Sequence, residues 1–257
     1  MRILVTNDDG IHAEGLDVCE KIARALSDDV WVIAPEYDQS GVAHSLSLND
    51  PLRLRQVAER RFAVRGTPTD CVIMGARHVL NGKGPDLVLS GVNRGRNAGE
   101  DVIYSGTVAG AVEGTVIGVP SFALSQAYAS RSGRPPYWET SAAACARHHP
   151  PRASAEGIPR DVLINVNFPD CAPDEVKRHR GCAAGRRRQE RLQHRRTPRR
   201  PRQPVLLDHL CAPERRQGGA GRDRRLAALD EHRIAVTPLR LDMTDEPFMT
   251  KLAGLFE

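Results

Sequence analysis

The sequence predicts a doubly wound, largely parallel α/β sheet, and three observations carry that expectation. Short apolar runs alternate with stretches of helical periodicity. The first two runs, Arg2–Thr6 and Val30–Ala34, are separated by one amphipathic segment, the spacing of parallel strands joined by a right-handed crossover. Polar, glycine-bearing clusters follow several of these runs rather than interrupting them. A chain of 257 residues can bury a large core, enough for one α/β domain with extensions or at most two domains.

Each element has its own signal. Arg2–Thr6 (RILVT) is a short buried strand, followed by turn chemistry at Asn7-Asp8-Asp9-Gly10. Glu14–Leu26 carries Leu16, Cys19, Ile22, Ala23 and Leu26 at helical spacing. Val30–Ala34 is a second strand, stopped by Pro35. Leu46–Asn49, Leu52–Gln56 and Arg61–Val64 are expected as short extended pieces. Thr67-Pro68-Thr69-Asp70 predicts a helix start, with Thr67 at the N-cap and Pro68 at the first helical position, running to about Leu80. Asp86–Ser90, Ser121–Ser125, Val162–Val166 and Arg233–Pro238 are further strands. Thr107–Ile117 is a small, apolar helix packed closely on the sheet, and Pro247–Phe256 is a final helix.

Composition bounds the function classes. No run of about 18 apolar residues is present, which predicts no membrane span. The N-terminal apolar run is too short for a signal peptide and is followed by charges, so the expected compartment is the cytoplasm. The six cysteines show no CxxC pair and no zinc-type spacing, and are expected as thiols. The net charge of +5 is unevenly placed. Residues 177–225 hold 17 Lys and Arg against 4 Asp and Glu, leaving 20 basic and 28 acidic residues elsewhere. The bulk of the chain is therefore acidic, and one segment makes the whole look like a nucleic-acid binder.

In open α/β sheets the ligand lies outside the carboxyl ends of the strands. Asp8 and Asp9 follow the first strand, Ser40-Gly41 the second, and Asn93 the strand Asp86–Ser90. All are oxygen donors, which select Mg²⁺, Mn²⁺ or Ca²⁺ rather than zinc, and two adjacent carboxylates need a metal, a proton or an arginine. Ser105-Gly106-Thr107 opens a helix, where free backbone N–H groups and hydroxyls make an anion site suited to phosphate. Metal and phosphate cradle together point to metal-assisted hydrolysis of a phosphate ester. Each signal also has a plainer reading. Asp-Asp-Gly is a common turn, Asp70 a helix cap, and Gly106 and Gly110 a close-packing device; His12 and His44 are proton donors or loop anchors. The convergence of several loops on one edge favours the functional reading.

The stretches VTNDDGIHAEGL, VIAPEYDQSGVAHSLSL, VRGTPTDCV, PDLVLSGVNRGRNAGEDVIYSGTVAGAVEG and VTPLRLD resemble the SurE 5′/3′-nucleotidases. The resemblance is dense over 1–140, returns at 156–176, and appears again from Leu226 to the end. It implies a single domain with a Rossmann-like, three-layer α/β/α core over 1–140 and a smaller C-terminal hairpin extension. It implies one divalent cation, Mg²⁺ or Mn²⁺, on Asp8, Asp9, Ser40 and Asn93, with Asp8, Asp9 and Asn93 catalytic. It places phosphate at Asn97, Ser105, Gly106 and Thr107. The implied reaction is hydrolysis of nucleoside 5′-monophosphates to nucleoside and phosphate, with 3′-nucleotides and polyphosphate as further substrates, in a homodimer or homotetramer if the C-terminal region is intact. Neither membrane nor nucleic acid is an expected partner. Glu14 stands where the family usually has proline, a change favourable to the helix dipole.

Two segments, 141–154 and 177–225, depart from the family pattern. The codons of GRGNPYYWIT, an aromatic run of the family type, read from the third base as PRQPVLLDH, which is Pro201–His209. AGTDA read the same way gives RDRR, matching Arg222–Arg225. Both segments are therefore expected to be translated out of frame. As written, 177–225 has too few large apolar residues for its charge to pack well. The C-terminal strand and helix resume at 226–257. The alternative functions are a catalytically impaired nucleotide-binding protein and a basic nucleic-acid binder acting through 177–225.

Overall fold

The computed structural model describes residues 1–80, 82–129, 133–148, 157–181 and 227–255. The chain opens with β1 (Arg2–Thr6), buried from Ile3 onward. Helix α1 (Glu14–Arg24) returns along the sheet, turning Leu16, Cys19, Ile22 and Ala23 inward, and leads to β2 (Asp29–Pro35), parallel to β1 with Ile3 beside Val30. A hairpin follows, β3 (Arg53–Ala58) and β4 (Arg61–Arg65), antiparallel to each other, with β4 parallel to β2. Helix α2 (Pro68–Met74) continues through a π-helical turn, Gly75–Val79. Then come β5 (Leu87–Arg94), the short α3 (Asp101–Tyr104), α4 (Gly106–Val116), β6 (Ser121–Gln126), α5 (Trp138–His148) and β7 (Val162–Phe168). The described C-terminal elements are β8 (Lys177–Gly181), α6 (Ala227–Asp230), β9 (Arg233–Arg240) and α7 (Glu246–Ala253).

All these strands join one sheet in the order β3-β4-β2-β1-β5-β6-β7-β9-β8. Alternation along the strands sorts the core into two faces. Ile3, Val5, Val32, Leu87, Leu89, Phe122, Leu124 and Val166 pack with α1 and α5. Leu4, Ile33, Val64 and Val88 pack with Cys71 and Val72 of α2 on the other face. Each such fully buried side chain contributes roughly 1.5–3 kcal/mol relative to its exposed state. The three-layer, mostly parallel architecture is the one expected.

The order of the strands creates one crevice. From β1 the chain proceeds to β2 and β4 on one side; from β5 it proceeds to β6 and β7 on the other. The reversal falls between β1 and β5, and their carboxyl ends open onto the place where such sheets bind ligands.

Four local expectations change. Leu46–Asn49 is not a strand. Its neighbours are pinned instead to the start of α2, where Thr67 Oγ1 donates to the Ser45 carbonyl at 2.8 Å and the Ser47 amide donates to Asp70 Oδ1 at 3.2 Å. The strand expected to end at Ser90 runs on to Arg94, through a bulge that shifts its register against β6 between Ser90 and Asn93. The helix after Thr67 does reach Leu80 as expected, but its last stretch widens into a π turn, Gly75–Val79. The first residues of the basic segment form β8, which pairs parallel with β9. The rest of that segment from 182 to 226, with the expected hairpin extension, and residues 149–156 with Pro150-Pro151 lie outside the described residues.

Candidate active site

Asn7-Asp8-Asp9-Gly10 leaves β1 in a turn fastened by its own asparagine. Asn7 Nδ2 donates to the Gly10 carbonyl at 3.0 Å, and the Gly10 amide donates back to Asn7 Oδ1 at 3.3 Å. Gly10 has φ +101°, a backbone state that side chains disfavour. The turn thereby fixes two adjacent carboxylates at the mouth of the crevice.

Asp8 is 4 % exposed. Its Oδ1 accepts from Thr107 Oγ1 at 2.5 Å. Burial, and next the charge of Asp9, push its carboxyl up to about 7 despite the Thr107 hydrogen bond. Asp9 is half-buried and accepts from the Arg94 amide at 3.1 Å. Burial again raises its pKa most, and Asp38 adds to the rise, while the Arg94 amide and the Arg94 charge oppose it. Such a pair, offset in charge only by Arg94 on Asp9, is a strained anionic site.

The loop after β2 closes on this pair. The Gln39 amide donates to the Asp8 carbonyl at 2.7 Å. Next to it, Ser40 donates through its amide and its hydroxyl to Asp38 Oδ1, at 2.7 and 2.6 Å. The Ala43 amide donates to the Tyr104 carbonyl at 3.1 Å, tying this loop to the one before α4. His44 Nε2 lies 3.0 Å from Glu113 Oε2, two turns along α4, so it is a loop anchor. Asn93 arrives from β5 beyond the bulge. Its Nδ2 donates to the Gly95 carbonyl at 2.9 Å, which leaves Oδ1 as the atom to offer a cation.

Helix α4 points its N-terminus at Asp8. Ser105 caps it, its Oγ accepting from the Val108 amide at 3.0 Å. The approach depends on Gly106, because a Cβ there would sit 2.7 Å from Asp8 Cβ and 2.9 Å from Asp8 Oδ2. Gly110, one turn on, lies equally close to Ser90 and Thr6. The positive end of the helix dipole is thus held against the most buried carboxylate. Asn97 is 7 % exposed and is the hub of a polar cluster. Its amide donates to Asn167 Oδ1, its Nδ2 to Ser125 Oγ, and its carbonyl accepts from Asn165 and Asn167, all within 2.8–3.0 Å.

The structure ties these segments together through the Gln39 amide on the Asp8 carbonyl, the Arg94 amide on Asp9, and Gly106 and Thr107 against Asp8. The Thr107 hydroxyl is engaged with Asp8, and Asn97 is anchored mainly to β6 and β7. Asp70 serves as a cap: its carboxylate accepts from the Thr67 amide and from Ser47, completing a capping box. His12 is exposed. Three contributors were not singled out from the sequence: Asp38, the third carboxylate, and Asn165 and Asn167. The two asparagines were visible as an i, i+2 polar pair inside an apolar strand.

Asp8, Asp9, Ser40 and Asn93 offer oxygen donors, and burial raises the pKa of both carboxylates. That donor set fits a hard divalent cation. A second group of ligand-type side chains, Cys171, Glu175 and His232, is brought together elsewhere on the described structure.

A doubly wound sheet with an oxygen-ligand cluster and a helix N-terminus at its switch point defines a metal- and phosphate-handling α/β protein. The sequence model of the family described as survival protein SurE matches residues 3–191, and the chain belongs to that family. The 5′-nucleotidase SurE of Azorhizobium caulinodans is 60 % identical over 262 aligned positions, covering 100 % of this chain and 99 % of that protein. The protein of the same name from Methylobacterium nodulans is 59 % identical, with both chains covered at 100 %. The crystal structure of the SurE protein from Aquifex aeolicus superposes with a TM-score of 0.78 at 33 % identity, over 100 % of each chain.

Proposed function

We propose that this chain is a 5′-nucleotidase that hydrolyses nucleoside 5′-monophosphates, using one Mg²⁺ or Mn²⁺ held by Asp8, Asp9, Ser40 and Asn93. The observation that carries the reading is the abutment of α4 on Asp8, which sets a phosphate-binding helix start against a metal-binding carboxylate pair. Full-length relatives named 5′-nucleotidase SurE support the substrate class.

The residues divide the work. Asp8 and Asp9 supply the charge that retains a cation, and Ser40 and Asn93 complete its oxygen shell from two neighbouring loops. When bound, the cation polarises the phosphate ester and lowers the pKa of the attacking water. Thr107 holds the Asp8 carboxylate in one orientation. The backbone N–H groups at the start of α4, with Ser105, receive phosphate oxygens, and Gly106 keeps that approach open. Asn97 shapes the phosphate side of the crevice from its anchorage on β6 and β7. Cleavage of 3′-nucleotides and polyphosphate would use the same phosphate-centred contacts.

A homodimer or homotetramer is supported by α7, where Phe248 and Met249 are more than half exposed. No helix among the described residues is long and apolar enough to cross a membrane. The buried free thiols Cys19, Cys71, Cys145 and Cys171 suit the reducing cytoplasm.

Phosphate release from AMP, GMP, CMP and UMP with Mg²⁺, Mn²⁺ or EDTA tests the reading. Turnover that EDTA abolishes and metal restores is expected. Nucleotide binding without turnover would instead identify the impaired binder. Salt-sensitive DNA or RNA binding lost on deleting 177–225 would identify the nucleic-acid binder.

A further inference from the structure

We propose that Cys171, Glu175 and His232 form a second metal site, of the zinc class, that ties the loop after β7 to the start of β9. The three side chains each offer a ligand atom, and these atoms lie within 4.8 Å of one another. Zinc bonds of about 2.0–2.3 Å in a tetrahedron set ligand atoms roughly 3.4–3.8 Å apart, so small side-chain rotations complete the set. Three protein ligands leave the fourth position to water.

Each ligand is positioned by a contact of its own. Cys171 is 2 % exposed, and its carbonyl accepts from Thr140 Oγ1 at 2.6 Å. Glu175 Oε2 accepts from the Ala172 amide at 3.1 Å, folding the loop back on itself. His232 adopts φ +58°, its amide donating to the Leu229 carbonyl and its carbonyl accepting from the Lys177 amide at 2.8 Å. The His232 backbone is thereby held at the junction where β8 and β9 begin to pair.

The donor set differs in kind from the one at Asp8. A thiolate, an imidazole and a carboxylate select zinc, cobalt or cadmium over magnesium. Three strand spacings separate β1 from β7, about 14 Å, so the two sites do not share a ligand. As a free thiol Cys171 is pushed up to about 11 by burial and by Glu175, which makes it a poor nucleophile and argues against a reactive-cysteine role.

The test uses the full chain, stripped of metal and then saturated with Mg²⁺. Titration with Co²⁺ should give a near-ultraviolet thiolate-to-cobalt absorption, absent in Cys171→Ser and weakened in His232→Gln. Because zinc also competes for oxygen ligands, stoichiometry is read in an Asp8→Asn background. That variant should retain one Zn²⁺ per chain and melt at higher temperature with it, and adding Cys171→Ser should lower the affinity at least tenfold. Mg²⁺-dependent phosphate release should be unchanged in both single variants, neither of which touches the nucleotidase site. Absence of the thiolate band, or zinc binding unaltered in both Cys171→Ser and His232→Gln, overturns the proposal and leaves a Glu175–His232 surface pair. Should Cys171→Ser fail to fold, His232→Gln decides alone.

Discussion

The Thr107 hydroxyl donates to Asp8 Oδ1 at 2.5 Å, joining residues 99 positions apart in the chain. One end is a candidate metal ligand and the other belongs to the first turn of α4, so this hydrogen bond would couple the proposed cation and phosphate sites. Thr107→Val keeps the shape and removes the donor. Metal affinity should fall about 10–100-fold, as for other partners that orient a ligand. Calorimetric Mg²⁺ titration reads this directly, and an unchanged affinity would detach Thr107 from the site.

Asp8→Asn keeps the volume of the side chain and removes its charge. Phosphate release should drop at least about 10²–10³-fold, the scale of losing one electrostatic catalytic group. The carboxamide also relieves the repulsion from Asp9, so the variant should melt no lower than the metal-free parent. A variant that loses activity only because it unfolds would show up in that melt.

Gly106→Ala and Gly110→Ala should separate site from scaffold. At 106 the new Cβ meets Asp8, with its nearest approach 2.7 Å. Metal-dependent turnover should therefore be the property most impaired. At 110 it meets Ser90 Oγ at 2.7 Å and Thr6 Cγ2 at 2.9 Å, away from the carboxylates. Its main cost should be about 1–3 kcal/mol of stability from overpacking. Denaturant unfolding and phosphate release, measured on both variants, check the contrast; equal profiles would refute it.

The pH dependence follows from Asp8. Its folded pKa of about 7 lies above the ordinary 3.8. Without a cation, its contribution to stability is therefore present in full below about pH 4 and is lost as pH rises through 7. A bound cation requires the ionised form and reverses that loss. The Mg²⁺-induced rise in melting temperature should be larger at about pH 8 than at about pH 5.5. A larger rise at the acid pH would contradict the assignment of Asp8 as a ligand.

Asp70→Ala removes the capping box and the tether to Ser47. A loss of about 0.5–2 kcal/mol is expected from the cap, together with earlier proteolysis at 45–50. Activity per folded molecule should change little, because Asp70 is satisfied by Thr67 and Ser47. A turnover defect as deep as that of Asp8→Asn would assign it a catalytic role.

Much of this was legible in the residue order. β1 and β2 declare themselves because buried parallel strands are short, continuous apolar runs, and Thr67-Pro68-Thr69-Asp70 names its own cap. The candidate ligands Asp8, Asp9 and Ser40 were readable because each follows a strand that ends on the same edge, whereas Asn93 lies within the last residues of β5. Leu46–Asn49 was misjudged because its place is set by two hydrogen bonds to a helix start some twenty residues away. Asn165 and Asn167 carry no local signal of what they bind; their partner Asn97 lies about 70 positions upstream. Cys171 and His232 were invisible as a pair because no spacing rule spans the 61 positions between them.

The stripe of Gly106, Gly110 and Gly114 along α4 also sets where the protein can change. A helix seated this close to its sheet has no slack for a larger residue on that side. Changes in substrate choice are therefore expected in the segments 36–45 and 95–104, which meet where the Ala43 amide binds the Tyr104 carbonyl. An engineer seeking new specificity would randomise those segments and leave the underside of α4 untouched.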